Sequence, residues 1–229
     1  MKVLAVLLVL LVGLGVLLDR VAVDVAEGQI SRQLAAEGGL AGRPDVDVRG
    51  FPFLTQALAG RYDEVRISLT AAELGRPAGT EADVVLRGVR LPLSAVLAGE
   101  VRSVPVERID GTATLSYDVL AQEFGGNTTL RPEGEGLRIT RTVDVLGYRL
   151  PLTATGTVRL DGDALVVDVR EVSGAGVDVP GFVVDRAREL LDLRYPVELP
   201  FGLRLTDVTP AATGVDVRVT ARDAVLSAE

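Results

Sequence analysis

The residues whose type and spacing could hold a cation or move a proton are two aspartate pairs: Asp45 and Asp47 around Val46, and Asp161 and Asp163 around Gly162. The first pair has the spacing of carboxylates that hold a divalent ion in sugar-nucleotide enzymes. A strand with Val46 and Val48 turned inward accounts for both as outward polar positions. The second pair frames a turn. The chain contains no His and no Cys, which removes the commonest general base, the usual metal ligand, any disulfide framework and any thiolate zinc site. None of its seven serines sits in a Gly-x-Ser-x-Gly elbow, so a hydrolase of the common type is excluded by residue supply. An enzyme working through carboxylates alone would need a paired, desolvated carboxyl, and none is singled out. No phosphate-binding loop is present, and Asn127-Thr128-Thr129 matches a glycosylation acceptor. The expectation is a binding protein without metal, cofactor or catalysis.

Charge narrows the partners. The net charge is −8, and every basic residue after Lys2 is arginine, so generic nucleic-acid binding is disfavoured. Apolar residues make up 48% of 229 positions, ample for a core; with few aromatics and no Trp, that core must come from Val, Leu and Ala, a composition that leans towards strands.

The elements that must position any site begin with an unbroken apolar run, Val3 to Leu18, ahead of Asp19-Arg20. As helix it spans about 24 Å, short of the roughly 30 Å hydrocarbon layer but at the upper end of a signal h-region. No clean small-residue cleavage site follows, which favours an uncleaved anchor over a removed signal. Lys2 and the terminal amine hold that end in the cytoplasm and place residues 19–229 outside, as a single domain. Val21, Val25, Ile30, Leu34 and Ala35 then recur near helical spacing, with Gly28 a candidate bend and Gly38-Gly39 the stop.

Alternation predicts strands at Asp45–Arg49, Val65–Leu69, Ala82–Leu91 and Val104–Ser116, the last with a hairpin or bulge at Asp110-Gly111. Short helices are predicted from Pro92 to Gly99 and from Tyr117 to Phe124. A meander follows at Thr128–Leu130, Leu137–Val145, Leu150–Leu160 and Ala164–Val172. A helix from Phe182 to Leu193 opens after Pro180-Gly181, and strands at Leu203–Val208 and Val215–Ala221 close the chain. Gly88-Val89-Arg90-Leu91-Pro92-Leu93 returns as Gly147-Tyr148-Arg149-Leu150-Pro151-Leu152, and Leu199-Pro200-Phe201 is a looser echo; these read as a β unit used more than once.

The stretch around which these elements are organised is Gly50 to Val65. Pro52 removes a backbone donor between Phe51 and Phe53, which rules out an ordinary central strand. A short run of Leu54, Ala57 and Leu58 at helical spacing follows, stopped by Gly60 ahead of Arg61-Tyr62-Asp63-Glu64. Two readings stand side by side: Phe51 and Phe53 plug one end of a core, or they form a lipid-facing lip.

Gly50-Phe51-Pro52-Phe53-Leu54-Thr55-Gln56, Gly60-Arg61-Tyr62-Asp63-Glu64-Val65 and Arg87-Gly88-Val89-Arg90-Leu91-Pro92-Leu93 together resemble an actinobacterial cell-envelope family, typified by the mycobacterial lipomannan elongation factor. Val145-Leu146-Gly147, Leu150-Pro151-Leu152 and Leu199-Pro200-Phe201-Gly202-Leu203 fit the same pattern, so the resemblance runs nearly the whole chain. It implies a periplasm-facing protein that binds phospholipid, including phosphatidylinositol types, and supports mannan elongation without catalysing it. The implied fold is α+β of the tubular lipid-binding kind: a highly curved antiparallel sheet wrapping a long N-terminal helix, plus short helices.

Residue character then assigns an acyl-chain groove to Val25, Ile30, Leu34, Phe51, Phe53, Leu54, Leu58, Phe182 and Leu190, with Arg61 and Arg90 meeting the headgroup phosphate. At about 0.8 kcal/mol per buried CH₂, a partly enclosed chain binds without any charged contact. The competing expectation is a ligand-free scaffold that docks a membrane glycosyltransferase.

Overall fold

In a computed structural model, residues 2–98, 101–123, 128–134, 136–145, 148–161, 164–174, 194–196 and 199–227 are described. The class is α+β, a long N-terminal helix with antiparallel sheets. The strands form two open sheets, one in the order β1 (45–49), β2 (61–69), β3 (81–90), β4 (103–116), β11 (214–227), β10 (204–210) and one in the order β5 (128–133), β6 (136–145), β7 (148–161), β8 (164–174), β9 (194–196). The chain divides into two compact units.

The first unit comprises Met1–Leu69, Asp83–Asp110 and Ala221–Glu229. Helix α1 (Lys2–Glu37) joins the apolar run and the amphipathic segment without interruption and passes straight through Gly28. Strand β1 (Asp45–Arg49) pairs antiparallel with β2 (Arg61–Leu69), and the short helix α2 (Phe53–Ala59) stands between them. Val46, Val48 and Val65 are buried, as the alternation requires. The unit also holds most of β3 (Glu81–Arg90), helix α4 (Leu93–Ala98), and the first part of β4 (Ser103–Ser116), where Val106 and Ile109 are buried.

Beyond Leu18, α1 packs through a stripe with a polar seam. Asp19, Val23, Glu27 and Ser31 recur every four residues, and each polar member meets a backbone group. The Val48 N–H of β1 donates to Glu27 Oε1 at 2.8 Å, and Ser31 Oγ donates to the Pro44 carbonyl at 2.6 Å. Strand β1 lies at one end of its sheet, so Glu27 satisfies an edge donor that would otherwise offer a pairing site. Val21 and Val25 are exposed on another face of the helix, so the periodicity that grouped them with Ile30 and Leu34 is rotated in the fold.

The second unit comprises Thr70–Ala82 and Gly111–Thr220. It contains a one-turn helix α3 (Ala71–Leu74), helix α5 (Tyr117–Glu123) and the strands β5 (Thr128–Glu133), β6 (Gly136–Val145), β7 (Tyr148–Asp161), β8 (Ala164–Gly174), β9 (Arg194–Pro196) and β10 (Arg204–Pro210), with the first half of β11 (Gly214–Ser227). Tyr117, Leu130, Leu137, Ile139, Leu205, Val208 and Val215 form its core. The Tyr117 hydroxyl donates to the Ala211 carbonyl at 2.7 Å and ties α5 to the turn between β10 and β11.

Two expectations change, and one short helix is added. Residues 110–111 lie inside the uninterrupted strand β4, so no hairpin forms there. The two Leu-Pro-Leu copies are not one repeated unit: Leu91-Pro92 follows β3 and leads into α4, whereas Leu150-Pro151-Leu152 lies within β7, paired with β6. Helix α3, with Thr70 and Glu73 forming a reciprocal capping box, carries too short a pattern to be read from apolar spacing. The helix expected over 182–193 lies outside the described residues.

Candidate functional site

Pro52 precedes α2 and offers no side chain to its unpaired N-terminal donors. The cap comes instead from α1: Asp19, 2% exposed, accepts the Leu54 N–H at 2.8 Å and pairs with Arg20 Nη2 at 2.9 Å. Burial pushes the Asp19 carboxyl up, but the Leu54 N–H, the Arg20 guanidinium and the Phe53 N–H together hold it below its ordinary value. The Arg20 guanidinium also lies over the Phe51 ring, 5.2 Å from its centre, in a cation–π arrangement.

This fastening sets which way each residue of the motif faces. Phe53 is 6% exposed and meets the Tyr62 ring at 6.0 Å between centroids, and Ala57 is buried beside it on the same helix face. Gln56 is buried too: its Oε1 accepts the Asp63 N–H at 2.9 Å and its Nε2 donates to the Arg49 carbonyl at 3.4 Å, joining the end of β1 to the start of β2. Leu54 and Leu58, four residues apart, face outward together, and Leu58 is 79% exposed; Phe51, across a cis bond from Pro52, is 63% exposed. The aromatic pair is therefore split: Phe53 plugs the core, and Phe51 is left on the surface.

Gly60 closes α2 at φ +64°, and a Cβ there would come within 2.9 Å of Pro92 Cα, so the close approach of the segment after β3 needs glycine. The Leu91 N–H donates to the Gly60 carbonyl at 2.9 Å, which links the two motif stretches directly. Beside this junction Arg61 and Arg90 share one carboxylate: their Nη2 atoms lie 3.0 and 2.7 Å from Glu107 Oε1. Hydrogen bonding from Arg90 and the charge of Arg61 hold the Glu107 carboxyl below its usual range. Two guanidiniums against one carboxylate leave a surplus positive charge on an exposed surface.

Of the remaining groove residues, Val25 is exposed, Ile30 and Leu34 are half-buried, and Phe182 and Leu190 lie outside the described residues. Asp47 pairs with Arg49 at 2.7 Å, and among the described residues no three carboxylates gather as a cation site. Sequence reasoning missed Asp19 and Arg20 as the fastening of Leu54 and Phe51. They read as the polar end of an apolar run, and their only signal was the four-residue spacing of Asp19, Val23, Glu27 and Ser31.

The motif stretches that carry the resemblance are thus joined in three dimensions by the Asp63–Gln56 hydrogen bond, the Leu91–Gly60 backbone bond and a shared carboxylate. Residues 17–220 match the LmeA-like phospholipid-binding family. The chain belongs to that family. Phospholipid binding is accordingly the function its membership supports. No curated protein and no solved structure matches the chain. The matched span opens at Leu17, near the end of the apolar run, and takes in the cap, Phe51 and the Arg61–Glu107–Arg90 group. Among the described residues, one helix, α1, is long and apolar enough to cross a membrane.

Proposed function

We propose that this family member is an exported phospholipid-binding protein of the cell envelope, held at the outer face of the plasma membrane by residues 3–18. It takes up phospholipid, phosphatidylinositol types among them, and supports elongation of lipid-linked mannan or envelope lipid handling without catalysis. The observation that carries this reading is the family match over residues 17–220. Two features support the finer parts. The apolar run of α1 is exposed along its whole length, as a lipid-embedded segment would be. The shifted carboxyls have structural partners: Asp19 and Glu73 cap helices, and Glu64 and Glu107 pair with arginines.

Native mass spectrometry of the full chain, with solvent extraction of what it carries, tests the binding. A stoichiometric adduct of phospholipid mass is expected, and protein that stays free of lipid after incubation with phosphatidylinositol-containing vesicles would overturn it. Protease digestion of spheroplasts tests the orientation, with residues beyond Asp19 cleaved from outside. Cells lacking the chain should carry shortened lipid-linked mannan; unchanged mannan would confine the role to lipid handling.

A further inference from the structure

Among the described residues of its unit, α2 leaves Leu54 and Leu58 exposed on its outward face, and it is fastened one residue beyond the end of the apolar run. Asp19 holds the Leu54 N–H and Arg20 holds the Phe51 ring, so Phe51, Leu54 and Leu58 sit at the level where residues 3–18 give way to polar chain. The exposed stripe of α1 continues past that point: Leu14, Leu18, Val21 and Val25, spaced four, three and four residues apart, all face outward. Three large apolar side chains on α2 and its entry thus extend the surface of a helix whose preceding sixteen residues are apolar and exposed. Arg20 has the amphipathic form suited to this boundary, its stem against apolar surface and its head at the polar level.

From this continuity we infer that Phe51, Leu54 and Leu58, with Val21 and Val25, form a collar that seats in the interfacial layer of the same phospholipid bilayer. This deepens the proposed membrane attachment and rests on it. The collar brings the folded unit flush against the lipid surface from which a phospholipid would be drawn. Its attachment is apolar burial of about 5–10 Å depth, as for interfacial helices. It does not require anionic lipid, consistent with a chain of net charge −8.

The absence of cysteine allows one spin label at a time on the full chain in phosphatidylcholine vesicles. Labels are placed at L58C and F51C for the collar, at L8C within the apolar run, and at R43C, next to the Pro44 that Ser31 holds, about 18 Å from Asp19 along the helix. Expected is an oxygen-to-nickel accessibility ratio several-fold higher at positions 58 and 51 than at position 43, with position 8 highest. Position 8 in lipid while 51 and 58 match position 43 would overturn the collar and leave membrane attachment standing. Position 8 in water would overturn the attachment and the collar with it. Spin–spin broadening at position 58 would mean that a second copy covers this face, which also overturns the collar. Far-ultraviolet circular dichroism of each variant verifies the fold, and positions 51 and 58 report independently should one disturb it.

Discussion

Asp19 is the residue that fastens α2 to α1. Its carboxylate replaces the cap that Pro52 cannot supply, and its folded-state pKa is depressed despite burial. A depressed carboxyl contributes stability that is present above the unfolded value of about 3.9 and lost as pH falls through the folded value. Asp19→Asn removes the charge and keeps the shape, so it should lower the thermal midpoint at pH 7 while flattening the acid limb below about pH 4. A melting series from pH 2 to 8 reads both, and an unshifted midpoint would dismiss the cap as a stabilising contact. Tyr117 plays a comparable part in the second unit. Burial, then the charge of Asp216, pushes its phenol up, so it stays protonated as the donor to Ala211. Tyr117→Phe should cost about 0.5–1.5 kcal/mol in urea unfolding.

Among the elements, α2 separates stability from surface function most sharply. Seven residues long, it places Phe53 and Ala57 inward and Leu54 and Leu58 outward. Phe53→Ala empties a packed position against Tyr62 and should cost about 3–5 kcal/mol, whereas Leu58→Ala, on the exposed face, should change stability by less than about 0.5 kcal/mol. Equal costs in chemical denaturation would mean that the helix is turned the other way. The sheet face around β2, β3 and β4 is laced by arginine pairs: Arg66 and Arg87 with Glu64, Arg87 and Arg108 with Asp110, and Arg61 and Arg90 with Glu107. Gly88, at φ +62°, leaves room for the Glu107 side chain to lie across β3. Gly88→Ala forces that carboxylate aside and strains the backbone by roughly 1–2 kcal/mol, so the variant should be destabilised and Arg61 and Arg90 released from Glu107.

At the scale of the whole molecule, the absence of His sets the pH response. With Asp19, Glu64, Glu73 and Glu107 all held below their ordinary values, their stabilising contribution is complete above about pH 5 and lost on acidification. No imidazole titrates between pH 5 and 8, so the thermal midpoint should be level across that range. A slope there would require a group outside these contacts.

The residue types and their periods were enough to name the α+β class, the long first helix, most strands, and the Gly50–Val65 stretch as the organising motif. They sufficed because alternation and the four-residue apolar spacing record which face is buried. The family resemblance was legible for the same reason: Gly50, Pro52, Gly60 and Gly88 mark backbone geometry that few other residues can adopt. What the linear chain did not carry was direction. Leu54 and Leu58 were grouped with Ala57 by spacing, yet they point away from it, because the rotation of a one-face helix is decided by what fastens its end. That fastener, Asp19, is thirty-five residues away from Leu54 in sequence. The same holds for Glu27 at the edge of β1 and for Glu107 between Arg61 and Arg90. Only the tertiary structure brings each carboxylate to its partner, since a hydrogen bond is short-ranged and leaves no period in sequence.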